Sequence, residues 1–139
     1  MRWAIAVLLV LVAPGVFGCN DSTEPDRFPD VSGTWDVSGI FEGFPAGMNA
    51  IQGTVTVERE DGGELSGDAS IRTPAGSAPV RGLRSARVDE AGRVTFSVGP
   101  SDAWAFVGQV AGDRMSGTHQ IVGDPVAVPR GTWTAERAP

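Results

Sequence analysis

Lysine and tyrosine are absent from this 139-residue chain, cysteine and histidine occur once each, and 17 acidic side chains face 11 arginines. Each scarcity excludes a class of function. A net charge of −6 with no lysine leaves no concentrated positive field for a polyanion, so nucleic acid is not an expected partner. One cysteine can build neither an intrachain disulfide framework nor a multi-thiolate zinc or iron–sulfur site. One histidine removes the His-rich metal sites, and no Ser motif with a His and acid partner, metal-ligand spacing or phosphate loop stands in the sequence. Asp36, Asp68 and Asp102 fall on separate segments and do not pair across a recognisable site. The expectation is one domain, no enzyme, no metal and no cofactor.

What is present begins with an address. Met1-Arg2-Trp3 supplies one positive charge, residues 4–12 are an unbroken apolar run, and Pro14-Gly15 breaks a helix before Val16-Phe17-Gly18-Cys19. That is the three-part order of a secretory signal. The run is shorter than the roughly 20 residues that span hydrocarbon, so a permanent membrane helix is the weaker reading. Residues 16–19 resemble the bacterial lipobox, with an aliphatic residue three before the Cys and a small one directly before it. Phe17 is its least typical member. The resemblance implies cleavage before Cys19 and acylation of the only thiol, anchoring the protein to a membrane by several chains at roughly 0.8 kcal/mol per buried CH2. The alternative, ordinary signal cleavage, leaves an exposed lone thiol, a liability in an oxidising compartment. Asn20 rather than Asp after the Cys implies release to the outer membrane; without the lipid, the location is secreted or periplasmic. The expected organisation is a helical signal peptide over 1–18, a flexible tether over 19–29 and a domain over 30–139. The tether is polar and acidic with two prolines, and has only Phe28 to bury.

From Asp30 onward the hydrophobic period is two. Val31, Gly33, Trp35, Val37, Gly39 and Phe41 share one face and Ser32, Thr34, Asp36 and Ser38 the other, as a half-buried strand requires. The same alternation marks strands at 51–58, 65–71, 80–89, 93–98, 104–112, 114–122 and 130–137. Long Gly- and Pro-rich connections alternate with tight turns such as Asp61-Gly62-Gly63. In a meander, every long loop then gathers at one end and every tight turn at the other. Eight such strands remove their edges most economically by closing, which predicts an all-β, eight-stranded, antiparallel up-and-down barrel. Glycines inside the strand runs, in phase with Trp, Val and Phe, supply the bends that a small barrel needs.

Gly33-Thr34-Trp35 resembles the G-x-W signature of the lipocalins and their calycin relatives, and residues 133–137 are similar to the final strand of the avidin group. The resemblance implies that an Arg near the chain end packs across the signature Trp at the closed end of the barrel, and Arg137 is the matching position. It makes Gly33, Trp35, Trp133 and Arg137 a structural signature. The lipocalin lid helix, the helix after the barrel and the disulfides common in that family are missing, and no biotin-holding residue set is recognisable.

The inward set expected from phase includes Trp35, Val37, Phe41, Ile51, Val55, Phe96, Phe106, Met115 and Trp133. His119 shares phase with Met115 and Ile121 and is expected to point inward near the long-loop end. It is either a neutral core histidine or a polar orienting group for an apolar ligand. Arg84 is phased with Ala86 and Val88, which turns it inward toward a ligand carboxylate unless the phase slips at Leu83. Phe44 and Met48, in the longest loop, cover a pocket as a lid or plug the barrel end. Two functions follow. A lipocalin-like carrier would bind a small apolar molecule through Phe44, Met48, Arg84, Trp104 and His119. A solid barrel would instead be a protein-interaction module of the envelope, comparable to small-barrel protease inhibitors.

Overall fold

The computed structural model describes residues 26–74, 76–77, 81–99, 104–121 and 130–139. The expected signal helix, Cys19, the first part of the tether and parts of three long connections lie outside the described residues. Alternating sequence becomes strand throughout: β1 (Gly33–Ile40), β2 (Ala50–Arg59), β3 (Leu65–Thr73), β4 (Gly76–Ser77), β5 (Arg81–Gly82), β6 (Arg84–Val88), β7 (Arg93–Val98), β8 (Trp104–Ala111), β9 (Arg114–Ile121) and β10 (Gly131–Arg137). They form one antiparallel sheet in the order β4-β3-β2-β1-β10-β9-β8-β7-β6, with β5 paired to β3 off this path. First and last long strands are neighbours, Trp35 opposite Arg137 and Gly39 opposite Trp133. The result is an all-β, nearly closed antiparallel barrel.

The path holds nine strands rather than the expected eight because the short β4 is added, and the segment expected as one strand over 80–89 is divided into β6 on the path and β5 off it. The division has a local cause. Ser85 is the one non-glycine among the described residues with positive φ, 49°. Arg84 lies opposite Ser97 of β7 but Arg87 opposite Thr95, which inserts one extra residue into β6 as a bulge. On the other side, β5 pairs with β3 at Asp68 and Ala69, whereas β6 meets the start of β3 only at a Glu64–Arg87 bridge. This short, shifted ladder is the incomplete seam of the barrel.

The bulge also corrects the expected phase. Leu83 packs against the core, Ala86 and Val88 are buried, and Arg84 is exposed. Because a period-two pattern reverses faces at each inserted residue, Arg84 leaves the inner face that unbroken alternation assigned to it.

Elsewhere the alternation is largely kept, except at the end of β7, where Phe96, Ser97 and Val98 are all buried. Trp35, Ile51, Val55, Ile71, Phe106 and Trp133 are almost completely buried, with Trp104, Val110 and Ile121 packed at the margin. The tight-turn end is covered by the chain that leads into β1. Val31 is fully buried and its carbonyl accepts the Trp35 indole N–H at 2.9 Å. Arg137 lies over the Trp35 ring at 4.4 Å, donates to the carbonyls of Asp30 (2.9 Å) and Ser32, and pairs with Asp113 at 2.7 Å. Arg59 donates to the Phe28 carbonyl at 3.0 Å and pairs with Asp26. Residues 26–29, expected as the last part of a free tether, therefore lie along the barrel base, where Phe28 finds apolar cover over Gly63.

Arg137→Ala should cost about 2 kcal/mol, since it removes charged hydrogen bonds worth roughly 1.5–3 kcal/mol, partly screened, and the cation–π contact. Arg137→Lys should restore only part, because an ammonium cannot match the planar fork that reaches two carbonyls and a carboxylate. Urea midpoints for the three proteins, with amide exchange at Val31, provide the check.

Candidate functional site

The loop end of the barrel holds an aromatic cluster assembled from four strands. β1 ends on Ile40 and continues into Phe41, β8 contributes Trp104 and Phe106, β9 contributes His119, and β10 begins at Gly131. The Phe41 ring lies 5.4 Å from Phe44, edge to face, and 5.6 Å from Trp104. His119 sits within this group, 5.5 Å from Phe41, 5.7 Å from Phe106 and 6.3 Å from Trp104. Below it, Phe96 and Phe106 stack at 4.9 Å, and both meet the Trp133 ring edge to face. Rings thus fill the barrel axis from the loop end to its middle.

His119 is 2 % exposed, and its Nε2 lies 2.9 Å from the Ile40 carbonyl. A carbonyl only accepts, so Nε2 carries the proton, and in the neutral ring Nδ1 is the acceptor. The bond passes over β10, whose Gly131 is the residue opposite His119. A Cβ at Gly131 would stand 1.8 Å from the Ile40 oxygen and 3.0 Å from His119 Nε2. The glycine therefore leaves the space through which β9 is tied to β1. Burial pushes the imidazole pKa below its ordinary value, opposed less strongly by the Ile40 hydrogen bond and the Glu42 charge. His119 is accordingly a neutral brace between strands.

A folded-state pKa below the unfolded value means that the unfolded chain binds more protons as pH falls. The contribution of neutral His119 is fully present above pH 6.5 and is lost as the pH drops toward its lowered folded value. Asp26, held low by its bond to Arg59, and Asp30, held low by the Ser32 amide, act in a separate window. Their contribution is present above the ordinary carboxylate value of 3.8 and lost only as pH falls below it. Urea midpoints should therefore decline between pH 7.5 and pH 5 for the parent, and stay flatter for His119→Gln.

Phe44, Trp104 and His119, expected together, are brought together, joined by Phe41, whose phase with Trp35 and Val37 made it legible as inward. Met48 is 68 % exposed and projects from the loop rather than into the barrel. Arg84 is exposed on the bulged strand, opposite Ser97. Gly131, the residue that makes the His119 bond geometrically feasible, looks in the sequence like one more strand glycine. At the base, Glu58, Glu60, Asp61 and Glu64 are all exposed around their turn, and no group of three or more metal-ligating side chains occurs among the described residues.

Between the Trp35 layer and the Trp133 layer the remaining space is about 10 Å³, lined by Val31, Val37, Val55, Phe96 and Met115 among others. That is near the volume of a single water, far below the few hundred Å³ of a ligand cavity, and its walls are apolar. Trp133 closes it from above, its indole N–H shared between the carbonyls of Thr118 (3.0 Å) and Val107 (3.3 Å). No protein-family model and no curated protein matches the chain.

Proposed function

We propose that this protein is a lipoprotein of the bacterial cell envelope, anchored to a membrane through acylated Cys19, whose barrel is a solid protein-interaction module. The observation that carries the second half is the filled axis: rings from Phe41 to Trp133 and a residual space of only about 10 Å³ around the lower core. With the lower core this full, the reading puts binding on the surface. The large hydrophobic side chains exposed among the described residues are Ile40 (50 %), Phe44 (39 %) and Met48 (68 %), all at the loop end. Exposed apolar side chains gathered on one surface mark an interaction site more readily than isolated ones. The anchor half rests on the residue 1–19 signal with its lipobox-like end. Asn20 favours the outer membrane as its address. The calycin resemblance is supported by the Arg137–Trp35 stack and the pairing of first and last strands.

A second reading, the carrier, draws on one observation: Phe44, Trp104 and His119 converge through Phe41 at the loop end. In that reading a small apolar molecule lies above His119, under the loop.

Photo-crosslinking residues substituted at Phe44 and Met48 in the envelope-anchored protein discriminate between the two. The module reading expects protein adducts at both positions and none at the outer-face control Thr54; adducts absent from both positions would overturn it. Native mass spectrometry of the protein purified from its own envelope should show only ligand-free mass, and a recovered small molecule would favour the carrier. For the anchor, Cys19→Ala should leave the membrane fraction, while an unacylated wild-type N-terminus would sink the lipoprotein assignment.

A further inference from the structure

The place where the described chain begins limits how an anchored barrel can stand. Asp26 and Phe28 are fastened to Arg59, and Asp30 and Ser32 to Arg137, so the leading segment is fixed at the tight-turn end. Seven residue steps separate Cys19 from Asp26. Even fully extended, seven steps span at most about 25 Å. The exposed Ile40, Phe44 and Met48 are at the other end of β1. With its strands tilted as in small barrels, a barrel of this strand length with its loop and covered base is about 30 Å tall. Turning the loop end onto the bilayer would lift Asp26 farther from the membrane than the tether reaches.

The side wall of the barrel can be compared with its ends. The outer wall of β1, β2 and β10 presents Thr34, Ser38, Thr54, Thr56 and Thr134, with Thr34–Thr56 and Ser38–Thr134 hydroxyl pairs. Hydroxyls give this side of the barrel nothing with which to lie flat in lipid. At the base, exposed Glu60, Asp61, Asp89, Glu90 and Asp113 stand among exposed Arg27, Arg93 and Arg114, so surface charge does not set the orientation and the tether length does.

Resting on the lipid-anchor reading, we infer that the barrel stands with its strapped base toward the bilayer and presents Ile40, Phe44 and Met48 to a protein in the aqueous compartment. The lipid that holds the anchor lies beyond their reach. Glu42 is the one charged residue of the 42–49 loop and is exposed, so the partner that fits is an apolar recess with a cationic rim.

The unique thiol permits a direct test. The chain from Cys19 onward, which contains every described residue, is coupled through Cys19 to maleimide-headgroup lipids in nanodiscs that also carry gadolinium-chelating headgroups. Amide signals of Gly62, Ala91 and Gly112 at the base are expected to lose intensity, while those of Gly43, Ala46 and Gly47 in the loop keep it. A flexible Gly-Ser spacer inserted between Glu24 and Pro25 should abolish the contrast. Equal or greater loss at Gly43, Ala46 and Gly47 without the spacer would place the loop in lipid and overturn the inference, as would a contrast unaffected by the spacer. Because maleimide coupling bypasses the cell, an unacylated native Cys19 would defeat the anchor reading without altering this readout.

Discussion

Trp133→Ala is expected to lower stability by about 3–5 kcal/mol, the range for removing a buried aromatic side chain, and so to leave most molecules of a marginally stable domain unfolded. The location explains why the upper end of that range applies. Trp133 is 1 % exposed, meets Phe96 and Phe106 edge to face, and donates to two backbone carbonyls on neighbouring strands. The ring crosses Gly117 and reaches Gly108, where an added Cβ would stand 2.7 Å from its Cζ2. Alanine would open a cavity between layers and strand those carbonyls with fewer donors. Trp133→Phe should recover most of the packing but not the N–H, leaving a deficit of about 1–3 kcal/mol. Chemical denaturation followed by far-UV circular dichroism measures both; a loss below about 1 kcal/mol for the alanine variant would contradict the packing described.

The second large effect comes from adding one methyl group. Gly131 has φ of 148°, a conformation that L side chains rarely adopt, and its virtual Cβ overlaps the Ile40 carbonyl oxygen. Gly131→Ala should therefore combine backbone strain of about 1–3 kcal/mol with overpacking of similar size. Relief requires separating β10 from β1 at its loop end, which would also stretch the His119–Ile40 bond. Gly112→Ala is the control, since Gly112 also has positive φ, 61°, but nothing within 4 Å of its virtual Cβ. It should cost only about 1 kcal/mol. If both variants lose the same stability, close approach at Gly131 has no energetic weight. The His119 imidazole resonance should shift in Gly131→Ala and remain in place in Gly112→Ala.

These two residues mark what the sequence could and could not reveal. Trp133 belonged to an alternating run, so its burial followed from period two alone, as did that of Trp35, Val55, Phe96 and Phe106. Pairing of the first and last strands followed from loop alternation and the need to hide sheet edges. Gly131 was legible as a bend, but not as the gap beneath a cross-strand hydrogen bond, because that role depends on two residues from other strands. Arg84 takes the outward alternative that a phase slip allowed, but the slip itself could not be located: the inserted residue at Ser85 is a backbone event, and serine gives no signal of positive φ as glycine or asparagine would. The strap was hidden because Phe28 stands alone in a polar stretch, and its cover is supplied by a turn more than thirty positions away, at Gly63. Of the site residues, Phe44, Trp104 and His119 could be grouped from strand direction. Met48 and Arg84 could not be placed without the loop path and the bulge.

The adjacency of β1 and β10 has a consequence in time. Ser38 bonds Thr134 across 96 positions, so the β1–β10 junction cannot form until nearly the whole chain has left the ribosome. Joining such distant segments carries a high loop-closure cost and makes folding slow relative to helical proteins. Before that step β1 has an open edge, and Trp35 lacks the arginine that covers it. A nascent chain of this kind stays threadable through a narrow channel until its C-terminal strand arrives. On the proposed reading of residues 1–19 as a secretory signal, late sealing would keep translocation ahead of folding.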